Sequence, residues 1–274
     1  MRKILTVLML SIAVSAVQSQ EFSQRLKLTA NNISQAISEN LRWYDLPVGA
    51  MYISGKYLAP ESDDRIKLGL SNVDLHIQKE LGFAGKTKPD NLNRDIIPQS
   101  ILLTRVLYNA AYDLFSKNTD GIENHRHSFL FYKSLVYTYT LTEFVKNWTY
   151  RQRPDSSDTK SFFSGHSSTS FAAASFLFLE FNDYLNEKMP ERTLPKFAAK
   201  FVSFSILYGW ASFVAYSRLK DNKHYLSDVL IGALAGTAIS NIVYYSYITN
   251  KNKALSINLG MVNNSPSLSF LISF

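Results

Sequence analysis

The chain has 274 residues, 46% of them apolar and 14% aromatic, with a formal net charge of +7 and no cysteine. That much apolar material excludes a disordered chain. The lack of cysteine excludes disulfides, thiolate chemistry and cysteine-based zinc sites. A basic balance suits an anionic substrate or a membrane surface. No basic tract interleaved with aromatics occurs, so nucleic acid is not an expected partner.

Taken in chain order, Arg2 and Lys3 precede an apolar run from Ile4 to Val17, closed by Gln18, Ser19 and Gln20. This is the pattern of a secretory signal peptide over residues 1–19, and the run is short of the roughly 20 residues a spanning helix needs. The expected destination is the cell envelope. Residues 20–95 form an N-terminal region. Within it are a polar helical stretch (Glu21 to Trp43), an apolar one (Leu46 to Ala59) and a charged, turn-rich one (Pro60 to Arg94). Residues 96–250 read as a helical domain, with helices near Ile101 to Phe115, Ser128 to Trp148, Ser167 to Phe181, Phe197 to Tyr216 and Tyr225 to Ile248. Successive long apolar helices predict an all-α bundle. In the tail, 251–274, Ala254 to Val262 and Ser267 to Phe274 alternate polar and apolar residues around Asn263–Pro266, which predicts a small β-hairpin. There is no internal repeat.

Three clusters sit at helix ends. Lys146, Arg153 and Pro154 close one helix; Ser164, Gly165 and His166 open the next; Ser217, Arg218, His224 and Asp228 span the last turn. Lys146, Arg153 and Arg218 are cations whose mutual repulsion a multiply charged anion relieves. Arginine presents paired donors that match phosphate oxygens. Ser164 adds a hydroxyl, Gly165 permits close backbone approach, and amides at a helix N-terminus favour an anion. His224 and Asp228 are four apart and share a helix face, so Asp228 is expected to hydrogen-bond one imidazole nitrogen and orient the ring. The other nitrogen can attack phosphorus, giving a phosphohistidine. His166 can protonate the leaving oxygen and then activate water. Each feature alone is ordinary: Arg–Pro is a common helix end and Ser–Gly–His a common tripeptide. Their order and spacing carry the reading.

These residues resemble the signature of the type 2 phosphatidic acid phosphatase family, which includes bacterial class A acid phosphatases and is related to vanadium haloperoxidases. The pattern is lysine, six residues, Arg–Pro; then Pro–Ser–Gly–His; then Ser–Arg, five residues, His, three residues, Asp. It is matched at Lys146, Arg153, Pro154, Ser164, Gly165, His166, Ser217, Arg218, His224 and Asp228, and the resemblance covers about Ser128 to Ile248. It implies a metal-independent phosphatase with no cofactor. His224 would be the nucleophile, His166 the acid and Asp228 the orienter. Lys146, Arg153, Ser164, Gly165 and Arg218 would bind phosphate. The expected substrate is a phosphomonoester or pyrophosphate, either an envelope lipid phosphate or a small-molecule phosphate. Phe163 stands where the family has proline, which implies a modest change of site shape.

Two other readings follow from the same residues. A vanadate-dependent haloperoxidase would hold vanadate in the same cradle. A non-catalytic envelope protein would bind phosphate without turnover. His125 and His127 read as members of a solvated loop, and His76 lies in a polar stretch. Phe201 to Tyr216 and Val229 to Ile248 are uncharged and nearly long enough to span a membrane. Lys133, Glu143 and Glu180 lie in neighbouring helices, and mean hydropathy is −0.09. The expectation is a periplasmic domain that touches the membrane, with a multi-pass inner-membrane protein as the alternative.

Overall fold

Why the chain folds as it does is clearest at its centre, where small residues let two helices meet. A computed structural model describes residues 21–82, 96–116 and 121–246, and the backbone of 255–262 and 265–272. The expected signal peptide falls outside the described residues. Helix α1 occupies 21–38, α2 Asp45–Tyr57, α3 Asn72–Leu81, α4 Ile96–Phe115 and α5 Ile122–Trp148. Then come α6, Gly165–Lys188; α7, Leu194–Lys220; and α8, Leu226–Tyr244. Two short strands, β1 (Ile66–Lys67) and β2 (Thr149–Tyr150), pair in parallel. In the tail, β3 (Leu255–Val262) and β4 (Ser265–Ile272) form the expected antiparallel hairpin, with Val262 opposite Ser265.

Helix α6 is the hub. Its buried face is built of Ser167, Ser168, Ala172, Ala173 and Ala174, with Phe176 and Leu179 further along. A helix that is small on one side can be approached closely, and α8 answers with Gly232 and Gly236. A Cβ added at Gly232 would stand 2.6 Å from the Ser164 carbonyl oxygen, and one at Gly236 2.0 Å from that of Ser168. Both glycines are therefore required by backbone contact. Beyond them the core continues as Leu130 and Phe131 of α5, Phe176 of α6, and Val243 and Tyr244 of α8. Phe176 makes edge-to-face contacts with both Phe131 and Tyr244, at centroid distances of 5.5 and 5.4 Å. Each such aromatic contributes about 1.5–3 kcal/mol by burial.

Helix ends follow capping chemistry. Thr193 caps α7 through the Lys196 amide, with Pro195 in the first turn. Ser164 caps α6 through the Ser167 amide. The turn-rich segment expected at 60–94 contains α3, whose polar sequence hides a helix started by a reciprocal Ser71–Asp74 capping box. Helix α5 begins at Ile122, before the apolar pattern does, so His125 and His127 are helical. His125 is buried against Asp113 at 2.8 Å, and His127 meets Glu180 at 2.7 Å. The solvated-loop expectation for these two is thus corrected: each has a carboxylate partner on another helix.

Helices α7 and α8 present apolar side chains outward. Phe197, Phe201, Ile206 and Phe213 of α7 are more than half exposed, as are Leu230, Leu234 and Ile242 of α8. Both helices are long and apolar enough to cross a membrane by length and composition.

Candidate active site

The three sequence clusters meet at one end of the bundle, and each pair of them shares a contact. The first and third meet where the Arg153 guanidinium lies 3.2 Å from His224 Nε2. The second and third meet where Arg218 lies 3.3 Å from His166 Nε2. Between the first and second, a Cβ at Gly165 would lie 3.4 Å from Lys146 Nζ, so the ammonium sits against the first turn of α6. The folding reason is local. The C-terminus of α5, the N-terminus of α6 and the α7–α8 turn all lie at one end because consecutive helices run antiparallel. The Gly232 contact then draws the start of α8 onto Ser164, whose amide donates to the Asp228 carbonyl at 3.0 Å.

His224 is 2% exposed. Its Nδ1–H donates to the Ser161 carbonyl at 2.7 Å, which leaves Nε2 with the lone pair toward Arg153. Burial, with Arg153 and Lys146 adding to it against the opposing pull of Asp228, holds the imidazole well below its ordinary range, at about 4. The ring is therefore neutral near pH 7. The expected direct bond from Asp228 is not what orients it, because that carboxylate stands 3.7 Å from Nδ1. A backbone carbonyl fills the position instead. Asp228 accepts from the Ser161 hydroxyl at 2.5 Å, the Tyr225 amide at 2.9 Å and Arg151 at 2.6 Å. It holds the loop that holds the histidine.

The remaining expected residues are placed as follows. Arg153 is fixed from its outer edge by Asp158 at 2.7 Å and donates to the Lys223 carbonyl at 3.0 Å. Arg218 also pairs with Asp221. Ser164 is fully buried, and its hydroxyl oxygen accepts the Ser167 amide. Ser217 turns back to the Val214 carbonyl on its own helix. Phe163 is buried and packs edge-to-face on Phe162.

Sequence reasoning missed Arg151 and Asp74. Arg151 is 5% exposed and bridges Asp228 and Asp74. It reads in the sequence as one of six residues between Lys146 and Arg153, and Asp74 lies on a helix far upstream.

Two cavities flank the cations. One of about 410 Å³ runs from Lys146, Gly165 and His166 along an apolar wall that includes Leu102, Leu135 and Val136. The other, of about 500 Å³, lies on the far side of Tyr139 and Glu143 and is lined by Lys56, Arg65 and Lys160. Among the described residues no cluster of His, Asp and Glu could hold a metal ion.

Residues 129–252 match the PAP2 superfamily. The chain is 32% identical over 95 residues to a lipid A 1-phosphatase from Porphyromonas gingivalis, a match covering 35% of this chain and 18% of that protein. It is 36% identical over 85 residues to a probable diacylglycerol pyrophosphate phosphatase from Schizosaccharomyces pombe, covering 31% and 29%. Against a rat phospholipid phosphatase it is 38% identical over 80 residues, covering 29% and 27%. The chain thus spans less than a third of the length of each of these relatives. A crystal structure of a transmembrane PAP2 type phosphatidylglycerolphosphate phosphatase from Bacillus subtilis aligns with 83% of this chain and 98% of its own, at 18% identity and a TM-score of 0.39.

Proposed function

We propose that this chain, whose residues 129–252 match the PAP2 superfamily, is a lipid phosphate phosphatase that works through a phosphohistidine on His224. The observation that carries the reading is the three-way meeting of Arg153 with His224, Arg218 with His166, and Lys146 with the start of α6. A tetrahedral oxyanion suits three cations, a serine hydroxyl and a helix N-terminus converging on two imidazoles.

The steps follow from the tautomer. His224 Nε2 uses its lone pair to attack phosphorus, and the bond from phosphorus to the leaving oxygen breaks. That oxygen takes a proton from His166. Water then gives a proton back to His166 as its oxygen attacks phosphorus, and the P–N bond breaks, freeing phosphate and restoring His224. Lys146, Arg153 and Arg218 hold the equatorial oxygens, where charge is greatest in each transition state. These groups supply the electrostatic stabilisation themselves, so hydrolysis is expected to be insensitive to chelators.

The substrate class rests on the flanking cavities and on the names of the relatives, all lipid or phospholipid phosphatases. The apolar 410 Å³ groove opening at His166 suits an acyl chain, and the basic 500 Å³ cavity suits a polar, anionic headgroup. A membrane location fits the same picture. A soluble protein rarely exposes an apolar surface as large as that of α7 and α8. Their outward faces make a buried core role inapplicable, so we read both helices as spanning the bilayer with the site at its surface.

The test uses a diacylglycerol phosphate in mixed micelles with chelator present. Wild type should release phosphate, and a short-chain phosphate should be a poorer substrate. His166→Ala should accumulate an acid-labile, base-stable phosphoenzyme, while His224→Ala should form none and lose activity by more than about 10³-fold. Retention of activity by His224→Ala would sink the mechanism. Release of the protein by carbonate washing would sink the spanning reading.

A further inference from the structure

A heavily bonded side chain near the site belongs to no expected cluster. Arg151 Nη1 donates to Asp228 at 2.6 Å and to the Ser227 hydroxyl at 2.8 Å. Its Nη2 donates to the Gly69 carbonyl at 2.9 Å and to Asp74 at 3.0 Å. The guanidinium lies between the rings of Phe162 and Tyr225, at 5.7 and 5.4 Å. Its main chain is engaged too: the Arg151 carbonyl accepts the Ser161 amide at 3.0 Å. Ser161 is the residue whose carbonyl takes His224 Nδ1–H and whose hydroxyl donates to Asp228. Arg151 therefore grips both groups that border the imidazole, one by its backbone and one by its side chain.

Asp74 completes the arrangement from outside the family-matching segment. Its amide donates to the hydroxyl oxygen of Ser71, the N-cap of α3, and its carboxylate accepts the Ser227 amide at 2.8 Å and the Ser227 hydroxyl at 3.0 Å. The parallel β1–β2 pairing, Ile66 with Thr149 and Lys67 with Tyr150, brings this upstream segment alongside Arg151. A surface brace would not need two buried carboxylates sharing one buried guanidinium. Such a triad carries a large desolvation penalty for each ion before its attractions are counted.

We propose that Arg151, anchored by Asp74, is a positioning residue for the His224 nucleophile: it neutralises Asp228 and fixes the Ser161 carbonyl, so that His224 stays neutral with Nε2 aimed at phosphorus. The proposal rests on the functional reading above for what Nε2 does, but not for how the ring is held. The charges acting on His224 are Asp228 on α8, Arg153 after α5 and Lys146 at the end of α5, with Arg151 reaching it through Asp228. Removing Arg151 leaves Asp228 as an uncompensated anion beside the ring, which favours the imidazolium. Removing the Asp74 charge leaves Arg151 wholly to Asp228, which does not.

Loss of Arg151 and loss of the Asp74 charge thus have different expected effects on the ring, whereas a structural brace would make them alike. The experiment is a pH titration of the full chain in detergent micelles, labelled with 15N-histidine, with the His224 signals identified by their loss in His224→Gln. In Arg151→Gln the His224 midpoint should rise by about one pH unit or more above wild type. Asp74→Asn should not raise it. Arg151→Lys keeps the charge but loses the planar fork, so its midpoint should stay near wild type while kcat falls about 10²-fold with KM nearly unchanged. A midpoint in Arg151→Gln equal to that of wild type, or an equal rise in Asp74→Asn, would overturn the proposal. If Arg151→Gln does not fold, Arg151→Lys decides alone, because an unimpaired kcat there would refute it. The titration needs no substrate, so failure of the phosphatase reading, seen as an active His224→Ala, is distinguished from failure of this one.

Discussion

Helices α5 and α6 run the length of the bundle, and the charges at their two ends are handled in opposite ways. At the end far from the site, the buried charges have partners. Arg105 donates both its outer nitrogens to Glu180 at 2.6 and 2.7 Å, and His127 bonds the same carboxylate. Asp113 is shared by His125 and Asn32, and Tyr244 donates to Asp183 at 2.6 Å. At the site end the carboxylates stand to one side. Asp158 takes Arg153 by its Nε edge and is half exposed itself. Lys146 Nζ, 14% exposed, has Glu143 no nearer than 3.9 Å. The first arrangement neutralises charge for stability. In the second, positive charge lies beside the two imidazoles, where the proposed phosphate would sit.

The largest expected effect comes from breaking the site end. Lys146→Met keeps the length of the side chain and removes its charge. It should lower kcat/KM by about 10²–10³-fold, in line with loss of one transition-state donor. Because it relieves repulsion with Arg153, thermal stability should stay equal or rise. A fall in melting temperature that accounts for the lost activity would show that Lys146 is structural and that the two ends are alike.

How much of this was legible in the sequence differs between the ends for a physical reason. The site end could be read because its chemistry is local: cations, serine, glycine and histidines fall at helix termini in fixed spacing, and the antiparallel bundle then brings the termini together. The far end could not, because His125 and Glu180 find their partners only through packing of helices whose order the sequence does not state. Arg151 was hidden by its neighbour Arg153, and Asp74 by a helix whose polar composition resembles a loop. Gly232 and Gly236 are required by the carbonyls of Ser164 and Ser168, a contact that only the packing of α8 on α6 reveals. The bond to His224 was misassigned because a four-residue helical spacing pointed to Asp228, while α8 starts only at Leu226 and leaves His224 in the turn before it.

A smaller effect is expected at the far end. Glu180→Gln leaves Arg105 and His127 facing a neutral amide, and should cost about 2 kcal/mol of stability, the range for losing hydrogen bonds to a charged group. Both partners are partly exposed, with side-chain accessibility of 22% for Arg105, which keeps the figure below that of a fully buried pair. The kcat/KM of the folded fraction should be unchanged in micelles. A rate loss without a stability loss would mean that the far end communicates with the site, and the contrast drawn above would fail.

The smallest effect concerns acid. His224 has a folded value of about 4, below its unfolded 6.5, because burial disfavours the imidazolium. The unfolded chain therefore binds a proton that the folded chain refuses between those two values. Stability from this group is complete above about 6.5 and is lost progressively as the pH falls toward about 4. Between about pH 7 and 5.5 the loss is roughly 1 kcal/mol. Other groups titrate over the same range, so the measurement is a difference: thermal unfolding of wild type and of His224→Asn at both pH values. Wild type should lose more stability on acidification than His224→Asn by that amount. Equal losses would mean that the imidazole is solvated enough to accept a proton in the fold, and an imidazolium has no lone pair on Nε2 with which to reach phosphorus.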